Sequence, residues 1–307
     1  MQMRAVYAEC MEELMAKDPK VCLLDADLAS CIWTKPLYEK YPERAINCGI
    51  AEQNMTAVAA GLASYGFKPY AESFTAFSTR RACDQVTLSV AYAGMNVKIV
   101  GTEPGLSMEL NGGTHMSVED VAVLRSIPNM VIVEPVDITQ LRAAMPVIND
   151  YEGCLYLRLF RREAPDVFGE GYKFDLFRAD TLREGADVTV FVSGLFTRDT
   201  LDVANALEAE GISCEVINVH TLKPIDRETV LASARKTGSV VTVENHNLVG
   251  GLHSAVLETL AAERIPVRGI GIHDRFGEVG HMPYLRKVMG MTDEDIANAI
   301  RAAAQDR

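Results

Sequence analysis

The sequence predicts an α/β protein built as two three-layer αβα domains with mainly parallel sheets. Three observations carry this. Short β-rich apolar runs alternate with longer helical ones along the chain. The connections between them are short, the pattern of parallel strands covered by helices on both faces. The alternation breaks once, at FRREAPDVFGEGYKFD, which mixes Pro, Gly and charge without a sustained period. That break reads as the connection between two units, 1–168 and 180–307.

In chain order, MQMRAVYAECMEELMAKD has a helical apolar rhythm and VCLLDAD reads as a buried strand running into an acidic loop. GIAEQNMTAVAAGLASYGF is an amphipathic helix with Glu52 in its first turn. KPYAESF is a strand, TAFSTRRACDQVTLSVAYA a helix and NVKIVG a strand. GTEPGLSMELNGGTHMS is too rich in Gly and polar residues for either and reads as a long loop. SVED opens a short helix, with Ser117 as N-cap and Asp120 at the capping-box position. MVIVEP is a strand, DITQLRAAMPVIND a helix capped by Asp137, and CLYLRL a strand. The second unit repeats the alternation from DVTVFVS to PVRGIGI and closes with TDEDIANAIRAAAQ, a helix capped by Thr292.

The 307 residues are 48% hydrophobic, enough for two cores of ordinary domain size. A formal net charge of −12 with no basic run argues against nucleic acid or an anionic membrane as a partner. The seven cysteines form no CxxC pair and several sit in apolar runs, as buried thiols in a reducing compartment do. The N-terminus lacks the apolar core of a signal peptide, and no apolar stretch is long enough to span a membrane. A cytoplasmic protein is expected.

In parallel α/β sheets, ligands collect at the carboxyl ends of strands. Three loops of the first unit qualify: Asp25 to Thr34, Glu72 to Arg80 and Gly101 to His115. The chain has no GxGxxG after its first strand, no P-loop, no GxSxG elbow and no HExxH, so none of those chemistries is supported. Glu52 stands out instead. Gly49 lets another backbone approach, and Cys48, Ile50 and Ala51 are apolar. A carboxyl in such surroundings has its pKa raised by desolvation and can donate a proton to a ring nitrogen. An acidic residue at a helix start also has the ordinary role of complementing the macrodipole. Phe74 and Phe77 are either core or a ring-stacking wall, with Arg80 or Arg81 one turn further on the same face. His115 ends a Gly-rich loop, well placed to touch ligand oxygens.

Taken together and in order, GIAEQNM, SFTAFSTRRACDQV, GGTHMSVEDVAVLRSIPNMVIVEP and DRFGEVG resemble the C-terminal half of transketolases and of the related deoxyxylulose phosphate synthases. The resemblance spans the chain. It implies a pyrimidine-binding domain of the thiamine diphosphate-binding fold, followed by the transketolase C-terminal domain. Glu52 falls on the family glutamate that hydrogen-bonds N1′ of the aminopyrimidine. Phe77 and Phe74 match the aromatic wall on which that ring stacks, and Arg80 matches a further cofactor contact. Asp27 and Leu28 match residues beside the thiazolium. His115 matches a histidine near the reacting oxygens. Arg4, Ser30 or Cys31, and Arg161 match positions that line the substrate channel and often bind a phosphate.

The GDG motif that holds Mg²⁺ and the diphosphate in this family is absent. The resemblance therefore implies one subunit of a split transketolase. Its partner is an N-terminal-half subunit carrying GDG, assembled two-plus-two, and the substrates are sugars or sugar phosphates. Three positions depart from the transketolase pattern. Arg80 agrees with the synthase pattern where transketolases commonly have a Tyr. Asn111 stands where an Asp is usual, keeping hydrogen-bonding capacity without the charge. Glu103 stands where many members have a phosphate-binding His, and a carboxylate there repels phosphate unless an arginine neutralises it. Other readings of the same layout are the beta subunit of a 2-oxoacid dehydrogenase, a deoxyxylulose phosphate synthase-like fragment and a non-catalytic scaffold.

Overall fold

The computed structural model describes residues 1–306 and contains two sheets. Strands β1 (Val21–Asp25), β2 (Ala45–Asn47), β3 (Lys68–Phe74), β4 (Lys98–Thr102), β5 (Val131–Val133) and β6 (Leu155–Leu159) belong to the first unit. The second contributes β7 (Asp180–Arg183), β8 (Val188–Val192), β9 (Cys214–Asn218), β10 (Thr221–Lys223), β11 (Val240–Asn247) and β12 (Val267–Ile272). The first sheet runs β10-β5-β6-β4-β3-β1-β2 and the second β12-β11-β8-β9-β7. All pairings are parallel except those of β10 with β5 and β7 with β9.

β10 is a surprise to the sequence reading: three residues of the second unit extend the first sheet. The two units therefore share backbone hydrogen bonds as well as side-chain contacts. Leu106, Met108, Met116 and Val118 of the first unit's long loop lie in one buried cluster with Val190, Val243, Ile272 and Leu285 of the second.

Helices cover both faces of the first sheet. Met3–Lys17 packs on Ile138–Asp150 through Met3, Tyr7, Met11, Leu141, Ala144 and Ile148. Glu52–Ser64 packs on the other face with the Phe77–Tyr92 segment, burying Met55, Ala59, Val86 and Val90. That segment is not a plain α-helix. It contains π-helical turns at Phe77–Arg81 and Val86–Tyr92 around a short α-helical piece, Cys83–Gln85.

Two helix starts match their sequence signals. The Asp137 carboxylate accepts from the Gln140 amide at 2.7 Å, and Thr292 forms a reciprocal capping box with Asp295. A third does not. The helix after the long loop begins at Asp120 with no side-chain cap, and the Ser117 hydroxyl is buried without a partner. Asp120 is turned inward instead, accepting from the Arg158 Nε at 2.7 Å and from the Tyr156 hydroxyl at 2.9 Å. A buried guanidinium outcompetes local backbone amides for that carboxylate, because a buried charge must be paired.

No helix among the described residues is long and apolar enough to cross a membrane.

Candidate active site

The register of the first sheet sets Phe74, Thr102 and Leu159 side by side. The segments that follow them, with the loop after β1, therefore gather on one edge.

Glu52 is the first residue of its helix and is 3% exposed. Its N-cap, Ala51, has no oxygen to offer the free amides, so the side chain is the local anion at the positive end of the helix. Glu52 lines a cavity of about 530 Å³ with Ile50, Ala51, Gln53, Asn54 and Arg81. The surroundings are less apolar than the sequence implied. One guanidinium nitrogen of Arg81 lies 2.9 Å from both carboxylate oxygens.

Arg81 also stacks on Phe77, its Cζ 3.9 Å from the ring centroid. Phe77 in turn meets the His115 ring edge-on at 5.2 Å and lies 6.0 Å from Phe74. Arg80 points elsewhere. It pairs with Glu119 at 2.8 Å and donates to the Thr114 carbonyl at 2.9 Å, bracing the loop that carries His115. The π-turn decides which arginine faces Glu52. Its wider winding brings the fourth residue after Phe77, not the third, over that ring.

A second cluster lies beyond Phe74. The Arg161 guanidinium sits 5.1 Å from the Phe74 ring centroid. Its Nε donates to Glu103 at 2.6 Å, and its backbone amide reaches the same oxygen at 3.2 Å. Arg4 and Arg161 both direct a guanidinium nitrogen at the Cys31 carbonyl, at 2.8 and 3.5 Å. Arg4 also stacks on Trp33 at 4.0 Å. Burial and the nearby Arg161 lower the pKa of Arg4 from its ordinary value. Arg162 and Glu109 form a further pair at 2.5 Å. The two carboxylate residues hold positive φ, 58° at Glu103 and 47° at Glu109, a backbone strain found mostly at sites that need it.

The loop after β1 is held from below. The buried Asp25 carboxylate accepts from the Leu28 amide at 2.8 and 3.0 Å, fixing Asp27, Leu28 and Ala29 over the strand end. Asp27 and Ser30 line their own cavity of about 250 Å³ with Asp25, Lys35, Tyr38 and Asn47. Asn111 is exposed, its amide directed at the Met108 sulfur. Thus Glu52, Phe74, Phe77, His115, Cys31, Glu103, Arg4 and Arg161 form one connected set. Asp27, Ser30, Asn111 and Arg80 stand outside those contacts. Arg162, Glu109, Trp33 and Asp25 were not singled out from sequence. Only Asp25 carried a signal, as the acidic end of an apolar strand.

The second unit holds the His115 loop in place. Asn245 bridges it, accepting from the Leu106 amide at 2.8 Å and donating to the Pro104 carbonyl at 3.0 Å. A Cβ on Gly113 would stand 2.5 Å from the Gly277 carbonyl oxygen, so the two backbones touch here. Met282, at the start of another helix, donates its amide to Glu109 at 2.7 Å.

A buried carboxylate thus opens a helix beside an arginine stacked on an aromatic ring, on the first of two mainly parallel αβα units. The chain belongs to the transketolase family. Residues 1–166 match the transketolase pyrimidine binding domain and residues 178–296 the transketolase C-terminal domain. It is 50% identical over 298 residues to a 6-deoxy-6-sulfo-D-fructose transketolase subunit of Clostridium sp. (strain MSTE9), covering 97% of this chain and 92% of that one. It is 34% identical to an apulose-4-phosphate transketolase subunit of Phocaeicola vulgatus, covering 88% and 87%. Among solved structures it resembles a split gene transketolase described as an inactive beta4 tetramer, with a TM-score of 0.90 and 40% identity over 99% and 98% of the two chains. It is a transketolase-family transferase subunit, alike over nearly its whole length to chains of the split kind.

Proposed function

We propose that this chain supplies the pyrimidine side of a thiamine diphosphate-dependent transketolase that moves a two-carbon ketol unit from a ketose to an aldose. The observation that carries the reading is Glu52, almost fully buried at the head of its helix and lining a cavity with Arg81, whose guanidinium holds the Glu52 carboxylate and stacks on the Phe77 ring. A buried carboxylate linked through an arginine to an aromatic wall suits a flat heteroaromatic ring with a protonatable nitrogen. When bound, thiamine diphosphate supplies the carbon nucleophile that carries the ketol unit.

The chain's own residues prepare the site. Glu52 would hold or yield a proton at a nitrogen of the bound pyrimidine. Phe77 and Phe74 exclude water and orient the ring. Asp25 holds the Leu28 loop over the strand end, where Leu28 and Asp27 support the cofactor. Arg80 acts through the Thr114 carbonyl, positioning His115 for hydrogen bonds to substrate oxygens. Arg4 and Arg161 hold the anionic end of a sugar, with Ser30 or Cys31 lining the channel beside them, and Asn111 contacts its hydroxyls.

The diphosphate and Mg²⁺ ligands belong to a partner chain carrying GDG, in a cytoplasmic assembly of two copies of each chain. The donor is a ketose of the kind named in the Clostridium relative, 6-deoxy-6-sulfofructose.

Glu52→Gln in the assembled complex should lower kcat by about 10²- to 10⁴-fold, the range of general acid–base effects. Cofactor Kd, measured by titration of the same complex, should change far less. Full turnover in that variant would remove the role given to Glu52. A stoichiometric pull-down should recover a partner of similar length containing GDG, and recovery of the chain alone would count against the split assembly.

A further inference from the structure

The Arg4–Arg161 cluster carries less positive charge than its arginines suggest, and one buried residue sets how much remains. Glu103 is fully buried, directly after β4, with positive φ. One carboxylate oxygen is bound by the Arg161 side chain and backbone amide, and the other is buried with no partner. Glu103 thus removes a full unit of charge from the subsite and takes the Nε edge of Arg161 away from any ligand. Arg162 is cancelled in the same way by Glu109. Three arginines against two carboxylates leave a net charge of one, on guanidinium groups that converge at the Cys31 carbonyl.

We infer that Glu103 is a specificity-determining residue that matches this subsite to a monoanionic tetrahedral group, a sulfonate, over a phosphate monoester. The inference rests on the transketolase reading of the site. A sulfonate carries one negative charge at neutral pH. A phosphate monoester carries about −1.5 to −2 and leaves charge uncompensated in a subsite of net charge one. Arg161 stays anchored by Glu103, so geometry and charge are set by one side chain.

The test needs neither partner nor turnover. Trp33 is the single tryptophan of the chain and stacks on Arg4, so its emission reports on this subsite. The full chain is titrated at pH 7.5 with methanesulfonate and, separately, with methyl phosphate, and the ratio of the two dissociation constants is taken. Glu103→Gln keeps the shape and an acceptor oxygen but loses the charge. It should move that ratio roughly tenfold towards methyl phosphate, a single-charge effect in a partly screened site.

A ratio that moves by less than about twofold would overturn the inference. So would a wild-type chain that binds methyl phosphate the more tightly, or a Trp33 signal that responds to neither anion. If Glu103→Gln fails to fold, the wild-type preference alone decides. Discrimination between the anions without ketol transfer by the assembled complex would sink the transketolase role and leave this inference standing. Transfer with no discrimination would do the reverse.

Discussion

Glu72 shows how much a single buried carboxyl can say. It is fully buried on β3, accepts a hydrogen bond from the Thr34 hydroxyl, and has a second oxygen without a partner. Burial first, with nearby Asp25 adding to it, pushes its pKa up to about 8. Below the unfolded carboxyl range both states are protonated and Glu72 has no effect on stability. As pH rises towards 8 the unfolded chain loses the proton while the folded one keeps it, so stability falls by about 1.4 kcal/mol per pH unit. Glu72→Gln should flatten this slope, with a Tm gain over the wild type that grows from pH 5 to pH 8. Glu244, also fully buried and pushed up to about 8, keeps part of the slope in that variant. Equal Tm differences at pH 5 and pH 8 would show that Glu72 is ionised in the fold. At this same scale the sequence singled out Glu52, because a carboxylate inside an apolar helix start is conspicuous. It could not separate Arg80 from Arg81. They are adjacent in sequence, and only the winding of the backbone tells them apart.

The element that matters most to function is the long loop between β4 and the Asp120–Arg125 helix. Sequence composition identified it as a loop, and its glycines have a physical purpose. Gly112 has a φ of 66° and Gly113 touches the Gly277 carbonyl, so the loop lies flat against the second unit. Gly113→Ala should force the two backbones apart, costing roughly 1–3 kcal/mol of stability as overpacking does. Because His115 follows two residues later, kcat/KM of the assembled enzyme should fall more steeply than Tm. Unchanged kinetics would mean that the loop has room to spare. The Asp137 cap makes a second element-scale case. Besides Gln140, it accepts from the Val167 and Phe168 amides, each at 2.7 Å, tying the connection between the units to the Ile138–Asp150 helix. Asp137→Ala should cost more than the ~1 kcal/mol of an ordinary cap, read from the shift in urea midpoint.

At the scale of the whole molecule, the two units are joined around Arg158. Its guanidinium meets Asp120 at 2.7 Å, Glu134, and the Asn245 carbonyl of β11 at 2.9 Å. His246, also on β11, accepts from the Ala122 amide at 3.4 Å and completes the contact. All of these charges are buried, and the Asp120 pKa, raised by desolvation alone, ends below its ordinary value because Arg158 outweighs that penalty. Arg158→Met should therefore destabilise by about 3–5 kcal/mol, the cost of leaving buried carboxylates without their cation. Adding Asp120→Asn and Glu134→Gln should recover most of the loss in urea unfolding. A triple variant no better than the single one would show that shape, not charge, joins the units.

The amino-acid sequence by itself determined the two αβα units and the order of most strands and helices, and it singled out the carboxylate, rings and histidine that the structure brings together. Those features are written in local periodicity, in glycine placement and in residue types that are costly to bury. Tertiary structure alone decided the rest. It placed β10 in the other unit's sheet, turned Asp120 from a helix cap into a partner for Arg158, chose Arg81 to face Glu52, and set Glu103 against Arg161. Each of these is a competition between partners far apart in the chain. In such a competition burial and charge pairing outweigh local preference, because a desolvated charge without a partner costs more than a missing cap.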